Sequence, residues 1–237
     1  MNHLQIGFIT ATFAVPVLLW VAVRPLRPRH PGPAAIVERG IAWTFAVVLL
    51  VAYGMGIYLE NQGRTLGLGD ARLPFHLCDW ATVATLLALL RRSQTAFELA
   101  YCWGLAGTFQ ALLTPAIALD GGLRVWCFLV FHSAIPAAVI WMLLGLRRRP
   151  SARCWRRVAL WSQLYFVVAM IANAALGSNY GFLARRPDKP TLLDHFPNPP
   201  GGWGYRLAID AFAMVLFALM LTPWRAGRTH GAAADTK

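Results

Sequence analysis

Seven apolar stretches of about 16 to 24 residues follow one another along this chain, separated by short connections. They run from Leu4 to Val23, Ile36 to Leu59, Phe75 to Leu90, about Thr95 to Leu119, Leu123 to Leu146, Val158 to Gly177 and Tyr205 to Pro223. A hydrocarbon core about 30 Å thick takes about 20 helical residues to cross, at 1.5 Å per residue. Of the 237 residues 57% are hydrophobic and only 14% charged, and the mean hydropathy is +0.50. A water-soluble domain could not bury so much apolar surface. The pattern predicts an all-α fold: a polytopic membrane bundle of seven transmembrane helices, one domain over residues 1–223, with a disordered tail over residues 224–237.

The net charge of +12 would suggest nucleic acid in a soluble chain. Here the basic residues sit in the connections, where they set topology, and nucleic acid is not expected as a partner. Of the 22 Lys and Arg, 15 fall on one set of alternate connections and 7 on the other. The positive-inside rule then predicts an outside N-terminus and a cytoplasmic C-terminus. The first span has no basic residue before it and Arg24, Arg27 and Arg29 after it, the reverse of a cleavable signal peptide. Thr95-Ala96-Phe97-Glu98 ahead of an apolar run reads as a capping box, which assigns Glu98 to a helix end.

Polar groups inside such segments are expensive and mark sites. Leu73-Pro74-Phe75-His76-Leu77-Cys78-Asp79-Trp80 places an imidazole, a thiol and a carboxylate at the entrance of the third helix. At 100° per residue His76 and Asp79 share a face, while Cys78 points roughly 160° from His76, so its partner must come from another helix. Cys78, Gln110, His132, Asn173 and Asp210 each lie 13 to 16 residues from the expected cytoplasmic end of their helix. That spacing puts them in one layer, about 20 to 24 Å above the inner surface. Gln110 and Asn173 also suit interhelical hydrogen bonds that hold a bundle together. His76 and Asp79 can bond each other or a helix end.

Cysteine with histidine is an acyl-transfer pair: the imidazole takes the thiol proton and the thiolate attacks a carbonyl carbon. Asp79 or Asp210 could orient the ring. The four cysteines, at 78, 102, 127 and 154, form neither CxxC spacing nor a disulfide framework. No pair has a recurring ligand spacing, so neither a metal nor a cofactor is expected.

After the sixth span comes Ser178-Asn179-Tyr180-Gly181-Phe182-Leu183-Ala184-Arg185-Arg186-Pro187, continuing to Lys189-Pro190-Thr191-Leu192-Leu193-Asp194. With Pro74 to Asp79, Glu98-Leu99-Ala100-Tyr101, Trp103-Gly104, Gln110 to Pro115 and His132, this segment resembles the bacterial YwaF-like integral membrane proteins. More distantly it is similar to the eukaryotic transmembrane protein 164 family. The likeness spans helices three to seven. It implies a multi-pass protein of the bacterial inner membrane and, through the eukaryotic relatives, a phospholipid acyltransferase with a membrane-embedded cysteine, matched here by Cys78 with His132 as its histidine. One departure is Phe131-His132-Ser133, where the family pattern has Ser-His-Gly.

Layer and resemblance together lead to a lipid-modifying enzyme of the acyltransferase or acyl-hydrolase type. Its expected partners are membrane lipids. Cys78 is the expected nucleophile and His132 the base, with Gln110 and Asn173 as oxyanion donors and His76, Asp79 and Asp210 in support. Asn179, Tyr180, Arg185, Arg186 and Lys189 would meet the lipid headgroup. The competing class is a non-enzymatic carrier or receptor that binds a small ligand in a polar bundle cavity.

Overall fold

The structure is a computed structural model that describes residues 1–62, 73–196 and 200–234, with side chains throughout except at position 29 and over 225–234. It is all helical, with no strand among the described residues. Helix α1 is His3–Val23 and, after a single turn over Leu26–Arg29, α2 is Pro31–Asn61. Helix α3 is Leu77–Leu90. Helix α4 runs unbroken through three segments, Gln94–Cys102, a π-helical Trp103–Thr108 and Phe109–Leu113. Then come α5, Leu123–Leu144, α6, Cys154–Leu176, and α7, Trp203–Ala234. Among the described residues α1, α2, α5, α6 and α7 are each long and apolar enough to cross a membrane. Helix α3 is apolar but has only 14 residues, a rise of about 21 Å.

Helix α5 is the hub. It packs against α1, α2, α3 and α4, whereas α6 packs on α4 and α7. Its middle reads Ser133-Ala134-Ile135-Pro136-Ala137-Ala138, all buried, and such small residues let neighbouring backbones come close. Outer helices show the opposite pattern: Leu18, Val51, Leu160 and Ile171 are each more than 60% exposed. In water such a surface would be untenable, and in lipid it needs no partner.

Two glycines in the π segment set how closely α4 can approach. A Cβ at Gly104 would lie 3.0 Å from Ile135 Cγ2 on α5, and one at Gly107 would lie 2.6 Å from Leu77 Cδ2 at the start of α3. The π-helical stretch therefore sits where α4 touches both helices that carry the expected Cys/His pair, and π-bulges recur at functional sites.

Three sequence expectations are corrected. The fourth helix stops at Leu113 rather than Leu119, because Thr114 precedes Pro115 and leaves the helical region at φ −132°, ψ 79°. Ser93, not Thr95, caps α4: its Oγ accepts from the Ala96 N–H. Glu98 is therefore no cap. Its carboxylate is fully buried and accepts from Gln94 Nε2 (2.9 Å), the Ser151 N–H (2.8 Å) and Arg157 Nη1 (2.9 Å), clamping α4 to the α5–α6 connection and to α6. Lastly, α7 continues past Pro223, and Trp224 is packed rather than part of a disordered tail. Its indole donates to Tyr101 Oη (3.0 Å), whose hydroxyl donates to the Met220 carbonyl (2.9 Å), and Arg149 lies over its ring. Residues 235–237, the end of the expected tail, lie outside the described residues.

Removing the Glu98 side chain leaves Arg157, the Ser151 amide and Gln94 without their shared acceptor. Glu98→Ala should cost about 3 kcal/mol, because one member of a buried, charge-assisted network is lost while the others stay. Thermal melts in detergent check this. A clear fall in Tm is expected, smaller for Glu98→Gln, and a Glu98→Ala protein that melts with the wild type would show that the clamp carries no stability.

Candidate functional site

The site grows from the first turn of α3. Pro74 cannot continue a helix from the preceding segment, and His76 occupies the N-cap position with extended backbone (φ −76°, ψ 154°). Asp79, three residues on and buried, accepts the His76 backbone N–H at 2.8 Å. That is the helix-end role open to it in the sequence. Cys78 is the second residue of the helix, half-buried, with Sγ 3.9 Å from Asp79 Oδ1. A helix start presents amide groups that have no acceptor in their own helix and favours negative charge, whether on a sulfur or on an oxygen bound beside it.

Across from this turn stands Tyr165 on α6. Its hydroxyl lies beside the Leu77 backbone, within electrostatic reach of Cys78 and Asp79. A Cβ at Gly181 would come within 2.8 Å of the same oxygen. The Tyr165 hydroxyl is buried, and beyond a weak contact with the Leu77 backbone it makes no hydrogen bond among the described residues. Buried polar groups are nearly always well partnered, so a hydroxyl this weakly held beside a thiol and a carboxylate calls for an explanation. Trp80 and Trp103 close the apolar side of the group, with ring centroids 5.6 and 6.5 Å from Tyr165, and Trp103 is fixed by donating Nε1–H to Ser162 Oγ (2.9 Å). Sequence reasoning missed Tyr165 because, between Leu164 and Phe166, it reads as one more apolar position on a spanning helix.

His132 is buried on α5, the helix that packs directly on α3. Its Nδ1 is 2.8 Å from the Phe128 carbonyl. A carbonyl can only accept, so Nδ1 carries the proton and Nε2 is the basic nitrogen of the neutral ring. The ring sits between Phe128 and Phe131 (centroids 4.1 and 4.8 Å), and Tyr53 of α2 stacks on Phe131. His76 has other company: its ring meets Tyr180 edge-on at 5.2 Å and lies 5.8 Å from Phe182.

The loop after α6 folds back onto this turn. Gly177 ends the helix in the left-handed conformation (φ 62°), which glycine adopts without strain. Asn173 then holds Tyr180 by both backbone groups: its Nδ2 donates to the Tyr180 carbonyl (3.0 Å) and its Oδ1 accepts the Tyr180 N–H (2.6 Å). Tyr180 is thereby buried, and its hydroxyl accepts the Leu73 N–H (3.2 Å). Asn179 binds the chain ahead, with Oδ1 accepting from the Ala184 and Arg185 amides and Nδ2 donating to the Arg185 carbonyl. Gly201 closes the loop at φ 78°, where a Cβ would fall 2.3 Å from the Ala184 carbonyl oxygen.

Other residues singled out by sequence lie elsewhere. Arg186 donates to the Phe196 carbonyl (2.6 Å) and lies over Tyr205, so it braces the loop, while Arg185 and Lys189 are exposed. Gln110 donates to Thr114 on its own helix, and Asp210 accepts both its contacts from Gln163 on α6. Of the five groups expected in one layer, the two amides and one carboxylate, Gln110, Asn173 and Asp210, are bonded to Thr114, Tyr180 and Gln163 rather than to the thiol. No set of three or more His, Cys, Asp and Glu among the described residues could hold a metal.

Comparison with known proteins adds three findings. Residues 1–222 match the TMEM164 family. An uncharacterized protein of Treponema pallidum (strain Nichols) is 35% identical over 159 residues, a match that covers 65% of this chain and 64% of that protein's length. No solved structure matches the chain.

Proposed function

The chain belongs to the TMEM164 family, and on that premise we propose that this integral membrane protein is a lipid-modifying enzyme that carries an acyl group on Cys78. One observation carries the reading: a half-buried thiol in the first turn of α3 stands within electrostatic reach of a buried, weakly bonded tyrosine hydroxyl, with a histidine whose Nδ1 is engaged by a backbone carbonyl on the helix packed against it.

In this reading His132 takes the Cys78 proton on Nε2, and the thiolate attacks the ester carbonyl carbon of a phospholipid. A C–S bond forms as the ester C–O bond breaks. The leaving alkoxide takes the proton back from the imidazolium and departs as lysophospholipid. An acceptor hydroxyl, or water, then attacks the thioester with His132 again as base, which regenerates the thiol. Charge on the tetrahedral oxygen is met by the Tyr165 hydroxyl and the amides of the first turn of α3. These donors replace Gln110 and Asn173, whose amides already serve Thr114 and Tyr180. Asp79 keeps the helix start in place, Tyr180 and Asn179 shape the mouth, and the exposed Arg185 and Lys189 meet the headgroup phosphate.

The same reading takes α3 and α4 as spans six and seven beside the five longer helices, in a bacterial inner membrane, with the N-terminus outside and the C-terminus cytoplasmic. Reporter fusions at Gly63 and Lys237 are then expected to fall on opposite sides, and fusions on the same side would refute the topology.

Lysophospholipid release from phosphatidylcholine by the purified protein tests the chemistry. Cys78→Ser and His132→Ala should abolish it, Cys102→Ser and Cys127→Ser should leave it intact, and Tyr165→Phe should slow it by about 10²-fold, as for the loss of one oxyanion donor. Full turnover in Cys78→Ser would rule this cysteine out.

A further inference from the structure

At the end of the molecule opposite Cys78 lies a second polar feature that the acyl-transfer reading does not use. Where α1 and α5 run out of apolar sequence, a cavity of about 390 Å³ is lined by Trp20, Arg24, Arg27, Leu144, Arg147 and Arg149. Arg27 and Arg147 also line an adjoining space of about 230 Å³, together with Glu38. That this is the far end follows from Arg148, whose Nη1 donates to the Arg92 carbonyl just beyond the C-terminus of α3, the helix that Cys78 begins.

Four guanidinium groups therefore face one region with a single lining carboxylate. Arg27 Nε donates to Glu38 Oε1 (2.6 Å) and its Nη2 bonds the Gly145 carbonyl, yet its Nη1 is buried and has no hydrogen-bond partner among the described residues. Arg149 is largely committed, with Nη1 donating to the Leu143 and Arg148 carbonyls and its guanidinium over the Trp224 ring. Arg24 lies over the Trp20 ring, 5.3 Å from its centroid, and its guanidinium makes no hydrogen bond among the described residues. Nor does the Arg147 guanidinium among the described residues, and the Arg147 backbone is held in the left-handed region at φ 52°. For a residue with a Cβ that conformation is strained. The tight turn imposes it: the Leu146 N–H bonds the Trp141 carbonyl and the Arg148 N–H the Met142 carbonyl.

Topology alone calls for basic residues at this end of the helices. It does not call for them to converge on a cavity, nor for a buried guanidinium nitrogen to go unbonded. Like charges gathered this way repel unless an anion sits among them, and guanidinium forks match phosphate oxygens. We infer that the cavity bounded by Arg24, Arg27, Arg147 and Arg149 is a binding site for a phosphate-bearing anion. Its place at the edge of the apolar surface, with Trp20 and Leu144 on one wall, fits the headgroup of an anionic phospholipid with its chains along α1 and α5. Basic pockets between membrane helices take such headgroups elsewhere.

Thermal unfolding of the full-length protein in a nonionic detergent tests the site. Phosphatidylglycerol is expected to raise Tm and phosphatidylcholine not to. In Arg24→Gln/Arg147→Gln the half-saturating phosphatidylglycerol concentration should rise about tenfold or more, since two of the charge-assisted contacts are lost. Neither guanidinium hydrogen-bonds another group among the described residues, and the Arg24 backbone bond to Trp20 is kept in the variant, so it should melt close to the wild type in the absence of lipid. Arg153→Gln/Arg156→Gln removes the same charge from exposed positions outside the cavity and should leave the lipid response unchanged. If inorganic phosphate alone reproduces the rise, and the Arg24/Arg147 pair is needed for it, the site stands and its ligand is soluble phosphate. Equal effects of the two lipids, no effect of any phosphate compound, or equal losses in both double variants would overturn the assignment.

Discussion

Hydrocarbon offers a backbone no hydrogen bonds, so a chain that lives in it must close its amide bonds within helices and can expose unbonded N–H groups only where a helix begins. That constraint decides where polar chemistry can be placed in this protein. The thiol is the second residue of α3, the carboxylate beside it is engaged with the N-cap backbone, and the segment over it is tied down through backbone groups of Tyr180. Between the ends the bundle is held by apolar contact around α5, with fully buried Trp103 and Trp141 in its core and glycines in the π segment of α4 that let it approach α5 and α3. The hub carries His132 to the site, and its packing sets how closely α3 and α4 stand there.

Most of the helical architecture was legible in the sequence, because long apolar stretches and the basic residues between them report length and order directly. Boundaries were less so. Pro115 does end a helix, but the pattern of apolar residues runs on to Leu119 and hides it. Glu98 shows how a local motif can mislead. Three residues after Thr95 it matched a capping box, yet besides Gln94 its partners are Ser151 and Arg157, more than 50 positions away, where no local pattern could point. Trp224, counted with the tail, is packed for the same kind of reason: its partner Tyr101 is 123 positions away.

For the site, the sequence located the turn but not its neighbours. His76, Cys78 and Asp79 stood out because polar residues at a helix entrance are rare in such chains. Asn173 stood out too, with its partner misjudged, since the left-handed Gly177 turns the chain so that Tyr180, seven residues on, comes back to it. Tyr165 was invisible: a tyrosine in an apolar helix has no periodicity of its own, and its significance lies in a hydroxyl that packing holds only weakly near a thiol. Equal height along separate helices was too weak a criterion to group residues, as the Gln163–Asp210 and Gln110–Thr114 pairs demonstrate.

The central claim is that Cys78 becomes acylated, and intact-mass analysis of the wild-type protein after incubation with a phospholipid of defined chains addresses it most directly. The account predicts a mass increase equal to one acyl group replacing one hydrogen. The adduct should be removed by neutral hydroxylamine, as a thioester is, and should map to the peptide that contains Cys78. Lipid turnover with no such adduct, or an adduct that resists hydroxylamine or maps to another residue, would contradict it.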